Sequence, residues 1–176
     1  MPTSSDVSSA LLLQPGQTAP GFALPDASGA IIRLRAFRQR RPVLLALLHS
    51  TTCSDCRAWL STLSAAREEL EYLTVQPLLL FPDDSAALAT LQNELDLPGS
   101  LLSDPGKTTR GSYLRAKEPP ASDCVALIAV GRYNEILDAW VATEPSRWPS
   151  LAELTATFAF AEQEDCACGL PIWPSA

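Results

Sequence analysis

The stretch Pro42-Val-Leu-Leu-Ala-Leu-Leu-His-Ser-Thr-Thr-Cys-Ser-Asp-Cys56 joins an apolar run, a short polar link and two cysteines separated by two residues. From Val43 to Leu48 apolar and polar positions do not alternate, the pattern of a strand covered on both faces. Beyond Cys53 the period changes. From Asp55 onward Trp59, Leu60, Leu63, Ala66 and Leu70 recur at helical spacing, with Arg67, Glu68, Glu69 and Glu71 between them. The cysteine pair therefore stands at a strand-to-helix junction, where the free N–H groups of a helix's first turn stabilise a thiolate.

Downstream, Val75 to Phe81 reads as a second buried strand, Pro82-Asp-Asp-Ser85 as a helix start, and Ala86 to Leu95 as a second amphipathic helix. Cys124-Val-Ala-Leu-Ile-Ala-Val130 is a third apolar run, Tyr133-Asn134 a turn, Ile136 to Val141 an antiparallel partner strand, and Pro149 to Glu164 a closing helix. Upstream, Asp26-Ala-Ser-Gly29 reads as the turn of an N-terminal hairpin whose second strand carries Ile31, Ile32 and Leu34. Arg33, Arg35, Arg38, Arg40 and Arg41 read as the solvated face of a short helix. A βαβ unit followed by a hairpin and a terminal helix is an α/β arrangement, a central mixed sheet with helices on both faces. The expected organisation is a disordered arm (1–12), one domain (13–164) and an irregular, cysteine-containing tail (165–176).

A length of 176 residues suits one domain with a sizeable core. The net charge of −7 speaks against nucleic acid as a partner. No apolar run approaches the roughly 18 residues of a membrane span. The first ten residues lack the basic start of a secretory leader. Five cysteines, an odd number, then indicate reactive thiols or metal ligands in a cytoplasmic protein rather than a structural disulfide framework.

Cys53, nearest the helix start, is the expected nucleophile, and Cys56 the resolving thiol. Cys53 would attack a disulfide to form a mixed disulfide that Cys56 releases. The helix terminus favours the Cys53 thiolate while Asp55 opposes it, so the expectation is a moderately acidic thiol, nearer a reductant than a strong oxidant. His49, the only histidine, is placed to orient or protonate the pair, and Arg57 to add positive charge. Their plainer readings are a strand-end side chain with a satisfied hydrogen bond and a solvated surface cation. Cys124, at the start of an apolar strand, reads on composition as an inert buried thiol. Cys166 and Cys168, where the last helix meets the tail, could relay electrons to the central disulfide. The rival is a tetrathiolate zinc site of Cys53, Cys56, Cys166 and Cys168, although the pair lacks the knuckle turn and nearby glycine of zinc ribbons. Thiol chemistry requires no cofactor.

Pro15-Gly16, Ala19-Pro20 and Phe22-Ala-Leu-Pro-Asp26 are similar to a G-x-x-A-P-x-F-x-L signature, and Ser103-Asp104-Pro-Gly106 with Tyr113 to an S-D-x-x-G stretch. On these motifs the chain, from about Leu13 to Trp140, resembles the redoxin or AhpC/TSA branch of the thioredoxin-like superfamily. The resemblance implies a thioredoxin-like fold and one of two activities. Peroxide-reducing members carry P-x-x-x-T-x-x-C, where this chain has Ala46 and Ser50, and an arginine near the strand that begins around Val125, where it has Asp123 and Cys124, with Arg115 upstream. Disulfide-exchanging members carry tryptophan before the cysteine pair, where this chain has Thr52, and a cis-proline facing it, where Asp123-Cys124 stands, which would place Cys124 against the Cys53–Cys56 pair as a supporting residue. Cys166, Cys168 and Trp173 resemble, with one residue fewer, the C-x-x-C tail of some redoxin-like sequences. The leading expectation is a thiol–disulfide oxidoreductase acting on disulfide-bearing proteins or small thiols, with a thioredoxin-type protein as candidate electron donor. The alternatives are a thiol peroxidase acting through Cys53, and a non-catalytic metal-binding or docking module.

Overall fold

The two short strands around Asp26-Ala-Ser-Gly29 pair antiparallel as β1 (Ala23–Pro25) and β2 (Ile31–Arg33), with Leu24 opposite Ile32. The Asp26 carboxylate accepts hydrogen bonds from the N–H groups of Ser28 and Ala30 and closes the turn. This is a computed structural model that describes residues 13–114 and 124–167, with side chains through residue 161. The expected arm (1–12) and Cys168 therefore lie outside the described residues, and Cys166 is described through its backbone alone.

Leu34 departs from the expected strand: it begins a 3-10 turn, Leu34–Phe37, because its side chain turns into the core. The arginines at 33, 35, 38, 40 and 41 are all exposed, as their crowding predicts. Next comes β3 (Val43–Leu47), buried at every position. Leu44, Ala46 and Leu48 enter the core on one face and Val43, Leu45 and Leu47 the core on the other, which is why the run shows no alternation. Each fully buried leucine contributes roughly 1.5–3 kcal/mol, so the strand that leads into the cysteine loop is firmly anchored.

The helical pattern after Cys53 forms two helices rather than one, α1 (Ser54–Ala65) and α2 (Arg67–Tyr72), separated at Ala66 with φ −92° and ψ 13°. Leu70 is buried across the break, so apolar spacing continues where the backbone does not. Strand β4 (Gln76–Phe81) runs parallel to β3 and leads to α2's successor α3 (Ser85–Glu94), whose N-cap Asp84 accepts from the N–H of Ala87 at 2.9 Å. Strand β5 (Ser100–Ser103), parallel to β4 at the sheet edge, and helix α4 (Thr108–Tyr113) have no counterpart in the sequence expectations. Both are too short to show a period. Strands β6 (Val125–Val130) and β7 (Ile136–Ala142) form the expected antiparallel pair, and α5 (Leu151–Ala167) runs past the expected Glu164, so the Cys166 backbone is helical rather than part of an irregular tail.

The sheet order is β5-β4-β3-β6-β7, with β6 antiparallel to β3. Residues of α1, α2, α3 and α5 pack on one face. The hairpin, the 3-10 turn and α4 cover the other. This is the expected thioredoxin-like α/β architecture. The two N-terminal and central motifs meet in it: Tyr113 Oη donates to the Pro20 carbonyl at 2.7 Å, and Asn134 Nδ2 to the Ala19 carbonyl at 2.9 Å. Among the described residues no helix is long and apolar enough to cross a membrane.

Gly99, which leads into β5, has φ +86°, and a Cβ there would lie 2.1 Å from the Pro77 carbonyl oxygen. Gly99→Ala is expected to lower the unfolding free energy by at least about 2 kcal/mol in a denaturant titration, through left-handed strain and a backbone clash. A change below about 0.5 kcal/mol, the range of neutral surface substitutions, would contradict this close approach of the chain before β5 to Pro77 of β4.

Candidate active site

The chain leaves β3 with one more ladder bond, from the N–H of Leu48 to the Leu80 carbonyl at 2.9 Å, and then turns through His49 to Thr52. Asp83, just past the end of β4, grips this turn with both carboxylate oxygens. Oδ2 accepts from the N–H of Thr51 at 3.0 Å and Oδ1 from its hydroxyl at 3.1 Å. Arg57 holds the turn from the helix side, donating to the Thr51 carbonyl at 3.1 Å and pairing with Glu94 of α3. Its guanidinium is thereby engaged in positioning the loop.

The result fixes Cys53 as the N-cap residue of α1, in extended conformation with φ −68° and ψ 120° and no side-chain capping bond. The first-turn N–H groups are left for the sulfur to exploit. Cys53 is half-buried and Cys56, one turn into the helix, is fully buried. His49 Nδ1 lies 3.9 Å from Cys53 Sγ, and the ligand-capable atoms of His49, Cys53 and Cys56 all lie within 4.8 Å of one another. His49 Nε2 is buried and has no hydrogen-bond partner among the described residues. Ser50 Oγ and Thr52 Oγ1 are 3.2 Å apart at the rim, where Thr52 is exposed.

Burial pushes the Cys56 thiol up from its ordinary value of 9.0 to about 12, with the backbone N–H groups of His49 and Ser50 pulling the other way and the Cys53 thiol adding to the rise. Cys56 is thus held protonated at neutral pH. The pair combines an accessible thiol at a helix terminus with a buried thiol in reach of it, a combination suited to forming and resolving a disulfide.

The other sequence candidates are distributed around this centre. The Cys124 side chain packs in the core on the opposite face of the sheet from Cys56, and it is the Cys124 carbonyl that reaches toward the site. That carbonyl accepts from Arg110 Nη1 at 2.6 Å, and Arg110 Nη2 donates to the Leu48 carbonyl. Arg110 is 5% exposed, and among the described residues no carboxylate lies within ion-pairing distance of its guanidinium. Burial pulls its pKa down, while the charges of Asp104, Cys124 and Cys56 act to keep it protonated. Sequence reading found no arginine next to Val125. In space one is there, supplied by α4. Its signal was the i, i+3 spacing of Arg110 and Tyr113 after Asp104, hidden in a polar segment. The proposed relay through Cys166 and Cys168, and with it the tetrathiolate metal site, depends on side chains outside the described residues.

A model of the AhpC/TSA family matches residues 15–158. No curated protein matches the chain by sequence. Among solved structures, the reduced 2-Cys peroxiredoxin of Plasmodium vivax superposes with a TM-score of 0.74 at 15% identity, covering 92% of this chain and 89% of that one. Peroxidoxin BcpB of Mycobacterium tuberculosis gives 0.69 at 17% identity, covering 86% and 97%. A protein assigned as the thiol:disulfide interchange protein DsbE of Chlorobium tepidum gives 0.66 at 18% identity, covering 83% and 99%. At these identities the likeness is one of fold.

The asymmetry of the two thiols gives a direct expectation. In the folded, reduced chain, iodoacetamide should modify Cys53 at least about 10-fold faster than Cys56 at pH 8, because only a thiolate reacts and Cys56 is both buried and protonated. The Cys56 rate should keep climbing from pH 9 toward 12, since an acid whose pKa is raised yields its thiolate only near the raised value. Equal rates for the two cysteines, read by peptide mass spectrometry, would contradict the assignment.

Proposed function

Since the chain belongs to the AhpC/TSA family and is a thiol redox enzyme, we propose that it exchanges disulfides through Cys53 and Cys56. The observation that carries this reading is the placement of a half-buried Cys53 at the N-cap of α1 with a fully buried Cys56 in reach of it. The Cys53 thiolate attacks one sulfur of a substrate disulfide. A mixed disulfide forms and the first substrate thiolate leaves. Cys56 then loses its proton and attacks Cys53 Sγ, the second substrate thiolate leaves, and the chain holds a Cys53–Cys56 disulfide while the substrate has gained two electrons. Run backward, the same steps oxidise a dithiol.

His49 is the general acid and base in this scheme. Its Nδ1 sits 3.9 Å from Cys53 Sγ, where it accepts the thiol proton and returns it to a leaving thiolate. Because Cys56 is held as a thiol, its attack is the step that waits for a base. Arg57 and Asp83 act earlier, by fixing Thr51 and with it the direction in which Cys53 leaves the strand. Disulfide-bearing proteins or small thiols are the partners this chemistry serves, and a thioredoxin-type protein would return the electrons.

A second reading, thiol peroxidase, rests on the same half-buried Cys53, in a turn whose Ser50 and Thr52 hydroxyls lie 3.2 Å apart. Single-turnover reactions of two variants separate the readings. Cys56→Ser should trap a stoichiometric Cys53 mixed disulfide with a disulfide substrate, whereas Cys53→Ser should form none and lose activity by at least about 1,000-fold, as loss of a nucleophile does. If Cys56→Ser instead consumes peroxide as fast as the parent chain and leaves the disulfide untouched, the peroxidase reading takes its place.

A further inference from the structure

The cluster of His49, Cys53 and Cys56 has a property that disulfide exchange does not use. Two sulfurs and an imidazole nitrogen, all within 4.8 Å of one another, form a compact set of soft ligands with no carboxylate among them. Tetrahedral zinc with Zn–S near 2.3 Å and Zn–N near 2.0 Å requires sulfur–nitrogen and sulfur–sulfur separations of about 3.6 and 3.8 Å. The Cys53 Sγ to His49 Nδ1 separation is already 3.9 Å. That pair is therefore within a few tenths of an ångström of the separation a shared zinc requires.

We propose that the reduced chain binds one thiophilic divalent cation, of the Zn²⁺ class, through Cys53 Sγ, Cys56 Sγ and His49 Nδ1, with the fourth position open toward solvent on the Cys53 side. The cysteine spacing puts both sulfurs on the first turn of α1, and the turn after β3 brings the imidazole within 4.8 Å of them. No neighbour among the described residues engages His49 Nε2, so the ring is not committed to a tautomer that would keep a proton on Nδ1. The charges match as well: two thiolates and a neutral imidazole cancel a dication, whereas a monocation would leave a net negative charge in a half-buried site. Three protein ligands and one open position is the arrangement of an exchangeable site rather than of a closed structural one.

Metal binding and disulfide formation then exclude each other at the same two sulfurs. A disulfide oxidant of the kind proposed above takes two electrons from the zinc-bound thiolates. The Cys53–Cys56 bond forms, the oxidant leaves as two thiolates, and Zn²⁺ is released unchanged in oxidation state. The capture of metal by the reduced chain does not rest on the exchange reading: zinc binding without exchange would sink only the latter, and exchange without zinc binding only the former.

The test uses the whole reduced chain under anaerobic conditions, titrated with Zn²⁺ against a chromophoric chelator and with Co²⁺ as a spectroscopic probe. The expected result is one equivalent of zinc, a thiolate-to-cobalt charge-transfer band, and displacement of the His49 ring signals in NMR. As the only histidine in the chain, His49 is read without ambiguity in the unsubstituted protein. His49→Ala, checked for folding by circular dichroism, should weaken binding by at least about 10-fold, and Cys53→Ser by more, since even outer-shell partners are worth that much. Cys166→Ser combined with Cys168→Ser should change nothing. Failure of the reduced chain to take up zinc, zinc uptake with unmoved His49 signals, or loss of zinc in the tail double variant would each overturn the proposal.

Discussion

The guanidinium of Arg110 joins the carbonyl of Leu48, just past the end of β3, to the carbonyl of Cys124, just before β6. These strands are antiparallel neighbours, with Leu47 opposite Ala126, so both carbonyls lie beyond the last rung of the ladder, at the end of the sheet where the thiols stand. Without a donor there, each buried carbonyl would cost about 1–3 kcal/mol. Arg110 is itself held by Asp104, whose carboxylate accepts the backbone N–H groups of Thr108 and Arg110 at 3.1 and 3.0 Å. The adjoining Ser103 donates to the Asp83 carbonyl at 2.7 Å, and the Asp83 carboxylate holds Thr51. The Ser103-Asp104 motif thus braces both routes by which the backbone reaches the cysteine loop. A buried cation with no carboxylate in ion-pairing distance among the described residues is an expensive brace; the Asp104 charge and its position beside the thiols, where negative charge develops, lower that expense.

With the loop held, the chemistry follows from unequal environments of two identical side chains. Cys53 reaches solvent and the helix terminus, while Cys56 sits in the same core as Leu60 and Leu63 and keeps its proton. One residue type thereby supplies both the group that meets the partner and the group that waits. His49 lies beside them because β3 ends where it does, and a single imidazole can serve as proton acceptor or as metal ligand according to what occupies the space before it.

The strand-to-helix junction at Cys53 was legible because the apolar period changes there within a few residues; β3, β4, β6 and β7 were legible as apolar runs, and the N-terminal hairpin through its Asp26-to-Gly29 turn. The break at Ala66 was not, since Leu70 remains in phase with α1 while the backbone turns aside. Strand β5 and helix α4 were passed over because four and six residues, respectively, are too few to show a period. That omission also concealed Arg110, whose place in the site depends on α4 crossing behind β3 and β6 rather than on its distance along the chain. The bond from Arg57 to Glu94 has the same origin: it needs α1 and α3 side by side, which spacing alone does not reveal.

The most direct measurement is a peptide map of the cysteines after the reduced chain meets one equivalent of oxidised glutathione. The expected products are a single Cys53–Cys56 disulfide and two equivalents of reduced glutathione, with Cys124 recovered as a thiol. A chain in which Cys53 and Cys56 are recovered unpaired, or in which Cys53 is bonded to Cys124 or to either tail cysteine, would contradict it.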